Sequence, residues 1–244
     1  VVCNYVLEVV ESPQFGGVIR NTLCIILLTL VLGFICPIIR ALLINQIGSK
    51  KIKGFVQTVT YMPHFISTVV IVSMISIFLN PNSGFIGRFF NEDGKSVLGD
   101  PNLFTPIYWI SEVWQHCGWN SIIYLAALAG VDTALYEAAK MDGASRLQLI
   151  RYVDIPAILP TCGVLLILNM GSVLNVGFEK VFLMQNSLNL SSSEVISTFV
   201  YKMGFVSNQY SYSTAIGLFN TLINFVFLVV ANAISKRVSD TSIF

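Results

Sequence analysis

Charge is what this sequence has least of. Only 11% of its 244 residues are Asp, Glu, Lys or Arg, against about 25% in a typical soluble chain. Five stretches hold no such residue at all: Asn21 to Ile39, Gly54 to Gly87, Val113 to Val131, Ile155 to Phe178 and Met203 to Ser235. An ordinary water-soluble domain is thereby excluded. The few charges are balanced, 14 basic against 13 acidic, and form no basic stripe, so no nucleic-acid partner is expected. The five cysteines contain no Cys-x-x-Cys pair and read as small packing residues. His64 has no Cys, Asp or His at ligand spacing, so no metal is expected. No glycine opens a G-x-x-x-x-G-K-[ST] loop, and the chain therefore cannot cradle ATP phosphates itself. No nucleophile–base pair or His/Asp/Glu cluster points to an enzyme.

What is present is apolar: 55% of the residues, with a mean hydropathy of +0.74. A membrane-crossing helix needs about 20 mainly apolar residues, and backbone in lipid must satisfy its own hydrogen bonds, leaving helices or closed barrels. Barrel strands alternate polar and apolar residues, whereas Leu23-Cys24-Ile25-Ile26-Leu27-Leu28 does not. The sequence therefore predicts an all-α, polytopic transmembrane helix bundle with five spans, about 21–44, 55–79, 106–131, 161–179 and 212–235.

Orientation follows from basic residues near the span ends. Arg40, Lys50, Lys51, Lys53, Lys140, Arg146, Arg151, Lys236 and Arg237 share one side of a five-span arrangement, which accounts for nine of the 14. This side is the cytoplasm, with 132–160 and the tail 236–244 in it. Residues 1–20, polar and loop-like, lie outside with 80–105 and roughly 180–208. The chain opens Val1-Val2 without a signal peptide, and an outside start predicts a further helix upstream.

The connection 132–160 is long for a loop, and its residues favour helix. Asp132 and Thr133 are good N-caps. Ala134 to Met141 are, apart from Tyr136, strong helix formers. Gly143 can take the left-handed conformation that ends a helix. Ser145-x-x-Gln148 then reads as a capping box for a second helix, with Leu147, Ile150 and Val153 along one face. Pro156 and Pro160 are expected to stop it before the next span. The pattern is a stiff helix–Gly–helix elbow, which on composition suits a surface pair lying on lipid headgroups.

The string Glu137-Ala138-Ala139-Lys140-Met141-Asp142-Gly143-Ala144, continuing to Ile155-Pro156 and Pro160, resembles the EAA loop of binding-protein-dependent ABC importer permeases. Ile150 departs from the family pattern, where an aromatic is usual, but stays apolar. Tyr61-Met62-Pro63-His64-Phe65-Ile66-Ser67, Gly118 to Leu128, Leu174 to Phe182 and Ala215 to Asn220 extend the resemblance to the LplB-type polysaccharide permeases across essentially the whole chain. The resemblance implies a six-span permease in a bacterial cell membrane, with one span upstream of this chain. It further implies a second permease subunit, two copies of a cytoplasmic ATPase that binds the ATP, and an extracellular solute-binding lipoprotein. Glu137, Ala138, Ala139, Asp142, Gly143, Ala144, Ile150 and Pro156 would meet the ATPase, with Glu137 supplying a charge and the alanines close approach. The cargo implied is an oligosaccharide.

A path for it needs polar groups. Asn169, Ser172 and Asn175 fall on one face of the fourth expected span, Asn220 and Asn224 one turn apart on the fifth. Such positions suit either a path or hydrogen bonds between helices. Trp109, Trp114, Trp119 and Tyr124 suit either a sugar path or interfacial anchors. Glu112 and His116, one turn apart, read as a solvated pair at the outer mouth of a helix. The rival readings are a permease of the same kind for a non-sugar solute and an ion-coupled secondary transporter. The latter would use an intramembrane acid or a broken helix near mid-bilayer, and apart from Glu112, read as lying at an outer mouth, the spans hold no acid between their ends.

Overall fold

The computed structural model describes residues 13–90, 96–171 and 177–239, all helix, turn or coil without a strand among them. Among the described residues three helices are long and apolar enough to cross a membrane: Phe15–Asn45 within α1 (Pro13–Asn45), Arg146–Met170, and Tyr210–Val230 within α12 (Tyr210–Ser239). The count rises to five if two interrupted pairs each make one span. The expected all-α membrane bundle is what forms.

The first interrupted pair is α2 (Lys50–Tyr61) and α3 (Thr68–Phe78), separated by a 3-10 turn over Met62–Phe65. Pro63 has no N–H to continue the ladder, and Ser67 restarts it by accepting a hydrogen bond from the Val70 N–H at 3.4 Å. The second expected span is therefore a broken helix. The second pair is α5 (Pro101–Ala129) and α6 (Thr133–Met141), bent by 74°. The short helices are α4 (Phe85–Phe90), α9 (Phe178–Met184), α10 (Leu190–Ser193) and α11 (Ile196–Tyr201).

Two expectations about helix ends change. Residues 13–20 are helical, not loop-like, and α1 opens on Pro13, whose fixed φ suits a first turn. Pro156 and Pro160 do not stop the second elbow helix either. α7 (Arg146–Leu149) passes through a π turn at Ile150–Asp154 into α8 (Ile155–Met170), so one helix runs from the elbow into the membrane. Pro156 sits in the first turn of α8, where a missing N–H costs little.

By their contacts the described residues fall into two compact units. The first takes the described residues within Val1–Leu30, Ile66–Glu112 and Ser172–Val226, the second those within Val31–Phe65, Val113–Gly171 and Phe227–Phe244. The first unit has a core of Ile25, Val72, Phe104, Tyr108, Val181 and Met184. Its polar seams are also buried. Asn21 Nδ2 donates to the carbonyls of Ser191 (2.9 Å) and Glu194 (3.2 Å). Asn189, fully buried, donates to the Leu98 carbonyl at 2.9 Å. The second unit packs Ala41, Leu42 and Ile44 against Tyr124, Leu125, Leu128 and Ile158.

Candidate functional site

The elbow forms by local rules. Asp132 caps α6, its Oδ1 accepting from the Ala134 N–H at 2.9 Å. At the other end Gly143 has φ +77°, the Ala144 N–H donates to the Ala139 carbonyl (2.9 Å) and the Gly143 N–H to the Lys140 carbonyl (3.0 Å). That pair of bonds is a Schellman motif, which needs a left-handed residue where Gly143 stands. Ser145 and Gln148 then make the expected capping box: the Ser145 N–H donates to Gln148 Oε1 (2.7 Å) and the Gln148 N–H to Ser145 Oγ (3.4 Å). The turn between α6 and the next helix is thus fixed by four hydrogen bonds spanning three to five residues.

The elbow presents its signature outward. Glu137, Ala138, Asp142, Gly143 and Pro156 are exposed, and Ala139, Ala144 and Ile150 half-buried. α6 has no buried residue. Met141 and Leu147 are 88% and 77% exposed, which for apolar side chains marks a surface suited to a partner. Arg146, Leu147 and Ile150 also border an open cleft of about 480 Å³ with Gln46 and Ile52.

Behind the elbow lies a residue that spacing does not flag. Asp154 is fully buried. Its Oδ1 accepts from Tyr136 Oη (2.5 Å) and Asn45 Nδ2 (3.1 Å), its Oδ2 from Gln46 Nε2 (2.7 Å). Burial, then the Asp154 hydrogen bond, push the Tyr136 hydroxyl up to about 12, so it remains a donor throughout the physiological range.

Higher in the same unit, Arg40 clamps three helices. Its guanidinium donates to the Gly118 carbonyl at 3.0 Å and to the Ser121 and Thr60 hydroxyls. α2 and α5 approach so closely that a Cβ on Gly118 would lie 1.9 Å from the Thr60 carbonyl oxygen. Beside this crossing, His64 Nδ1 faces His116 Nδ1 at 3.1 Å. Trp119 stacks flat on His64, with centroids 4.6 Å apart and 3° between planes, and Phe65 meets Trp119 edge-on. The two histidines are 52 residues apart, so no sequence spacing pairs them. Among the described residues no three His, Cys, Asp or Glu side chains group as metal ligands.

Glu112 and His116 are both half-buried and not solvated. Glu112 meets the buried Lys180 at 2.8 Å. Lys180 enters from α9, far along the chain, and a buried cation needs a carboxylate. Of the aromatics, Tyr124 is core and 3% exposed, while Trp114 and Trp119 are 51% and 41% exposed. Asn169 is exposed, one residue from the end of α8. Ser172 and Asn175 lie outside the described residues, so the three-residue face is not seen. Asn220 is half-buried and Asn224 buried, one turn apart on α12.

The family of binding-protein-dependent transport system inner membrane components matches residues 25–240. Protein LplB of Bacillus subtilis is 40% identical over 244 residues, covering 99% of this chain and 77% of that protein. The polygalacturonan/rhamnogalacturonan transport system permease protein YteP of the same organism is 38% identical, covering 99% of this chain and 76% of YteP. Among solved structures, a bacterial alginate ABC transporter in complex with alginate pentasaccharide-bound periplasmic protein superposes with a TM-score of 0.93. It is 38% identical, and the match covers 97% of this chain and 83% of that one.

Proposed function

The chain belongs to the binding-protein-dependent transport system inner membrane components, multi-pass permease subunits of ABC importers and not enzymes, and from that premise we propose how it works and what it carries. The cargo is an oligosaccharide, and uronate-rich ones are the first to test, because the relatives named above handle polygalacturonan and alginate. The exposed elbow carries the reading: a rigid, doubly capped bracket with Glu137, Ala138, Asp142 and Gly143 facing outward.

A separate ATPase, two copies to a complex, grips this bracket from the cytoplasm. The segments 40–54 and 132–160 lie inside, as their basic residues favour. A stiff helix transmits a push that a flexible loop would absorb, and α7–α8 continues from the elbow directly into the membrane. A second permease completes the bundle, and a solute-binding lipoprotein docks outside on 80–105 and 180–208. ATP on one side and loaded binding protein on the other bias inward-open and outward-open packings.

The path runs past polar positions in the spans. Asn169, Ser172, Asn175, Asn220 and Asn224 are its first candidates, and the His64–His116–Trp119 cluster joins them. Ionisable groups within membrane helices face a cavity or the bundle interior, and broken helices line such cavities.

The test is a cross-link. An Ala138→Cys variant, purified with its ATPase, partner permease and binding protein, should form a disulfide or short-linker adduct with the ATPase. It should import labelled oligogalacturonides or alginate oligomers only with ATP present. Absence of the adduct defeats the docking assignment. Import that stops with a protonophore yet ignores ATP points to an ion-coupled carrier instead.

A further inference from the structure

Taking the elbow as the ATPase dock, we propose that Asp154 is the positioning residue that carries the elbow's movement into α1. Three chain segments meet on this one carboxylate. Tyr136 comes from the outer helix of the elbow, Asn45 and Gln46 from the end of α1, and Asp154 itself closes the π turn leading into α8.

The strength of the joint follows from its surroundings. Asp154 is fully buried, and its three partners are all neutral donors. A buried carboxylate that loses a donor has no water to replace it, so each bond is costly to break. α6, by contrast, has no buried residue to hold it by apolar packing. Among the described residues, Tyr136 is the one side chain of α6 that hydrogen-bonds to another segment. The outer elbow helix is therefore fastened through a polar joint, and a displacement of α6 pulls on α1 and α8 together. The π turn adds to this reading. Such turns tend to mark functional sites, and this one sets Asp154 between the elbow and the span. Asn45 Nδ2 also lies 3.3 Å from the Tyr136 hydroxyl, which closes a triangle of hydrogen bonds.

The experiment uses the complete complex with ATPase, partner permease and binding protein, reconstituted in liposomes. Four forms are compared, each carrying the Ala138→Cys reporter: otherwise wild type, Asp154→Asn, Tyr136→Phe, and the swap Asp154→Asn with Asn45→Asp. In Asp154→Asn an amide NH₂ faces groups that also donate. The complex should still cross-link to the ATPase and hydrolyse ATP, while import falls about tenfold, the loss expected when a hydrogen bond to a charged group goes. Tyr136→Phe should lose less, in the same direction. The swap moves the carboxylate to position 45 and the amide to 154, so every group again has a partner, and import should largely return.

Import at the wild-type rate by Asp154→Asn overturns the proposal, as does a swap no better than Asp154→Asn alone. Loss of the cross-link or of ATP hydrolysis in step with import reduces Asp154 to a folding residue and also overturns it. A missing cross-link in the reporter alone defeats the docking reading, and this proposal with it. A cross-link retained with import unchanged defeats the joint only.

Discussion

Replacing Gly143 tests whether the elbow acts as a rigid bracket, because the structure separates two reasons for a glycine there. A Cβ added at Gly143 meets nothing within 4 Å, so bulk is not the obstacle. Its φ of +77° is. Holding an ordinary residue in that left-handed region costs roughly 1–2 kcal/mol, more for a β-branched one, whereas Asn visits it readily. The alternative, letting the turn relax, breaks the Schellman bonds from Gly143 to Lys140 and from Ala144 to Ala139, at about 1 kcal/mol each. Gly143→Val should therefore deplete the bent elbow by a factor of about 5–30, while Gly143→Asn keeps it. Both should insert into the membrane and assemble normally. The assay follows uptake and binding-protein-stimulated ATP hydrolysis in the same vesicles. Val should continue to hydrolyse ATP but import poorly, and Asn should import near the wild-type rate. Wild-type uptake with Val would refute the argument. So would an Asn variant as defective as Val, since that would assign the effect to a side chain on the docking surface and not to the backbone.

Three further outcomes follow from particular contacts. Gly118→Ala forces a methyl to 1.9 Å from the Thr60 backbone oxygen, which no side-chain movement relieves; a loss of about 1–3 kcal/mol is expected, read as a lower melting temperature in detergent. Lys180→Met removes the cation that Glu112 meets and should lower the melting temperature in detergent, whereas Lys180→Met with Glu112→Leu should recover most of the loss; a double variant less stable than the single one contradicts this. Asn220→Leu and Asn224→Leu should lower import or change which oligosaccharide is taken. A fall in melting temperature with normal import would make these two residues bundle glue instead of path.

What sequence could and could not reveal here follows the span of each interaction. The elbow was legible because each bond that shapes it joins residues three to five apart: Gly143 to Lys140, Ala144 to Ala139, Ser145 to Gln148. Propensity and capping rules act over just that range. The spans were legible because lipid imposes a length and a composition on any helix that crosses it. Helix ends were less so. Residues 13–20, with Pro13, Gly16 and Gly17, read as a loop, yet helix continues there, with Asn21 and Thr22 tying α1 to the segment 191–196. Pro156 reads as a stop, yet it falls where a helix has least need of an N–H.

The convergences were not legible at all. Asn45 reaches Asp154 across 109 residues, Arg40 reaches Gly118 across 78, and Lys180 reaches Glu112 across 68. In each case a polar group in a mostly apolar sequence gains its meaning from a partner that only the packed helices supply. Polar residues in lipid-facing sequence are costly enough that each must be satisfied by something. A lone Asp at 154, just before a charge-free span, therefore implies neutral donors converging on it, and the end of a neighbouring helix is where two carboxamides are found. A membrane protein that must transmit force has reason to place its rare buried charge where the driven element meets the helices it moves, because there an unmade hydrogen bond is most expensive and the joint least able to slip.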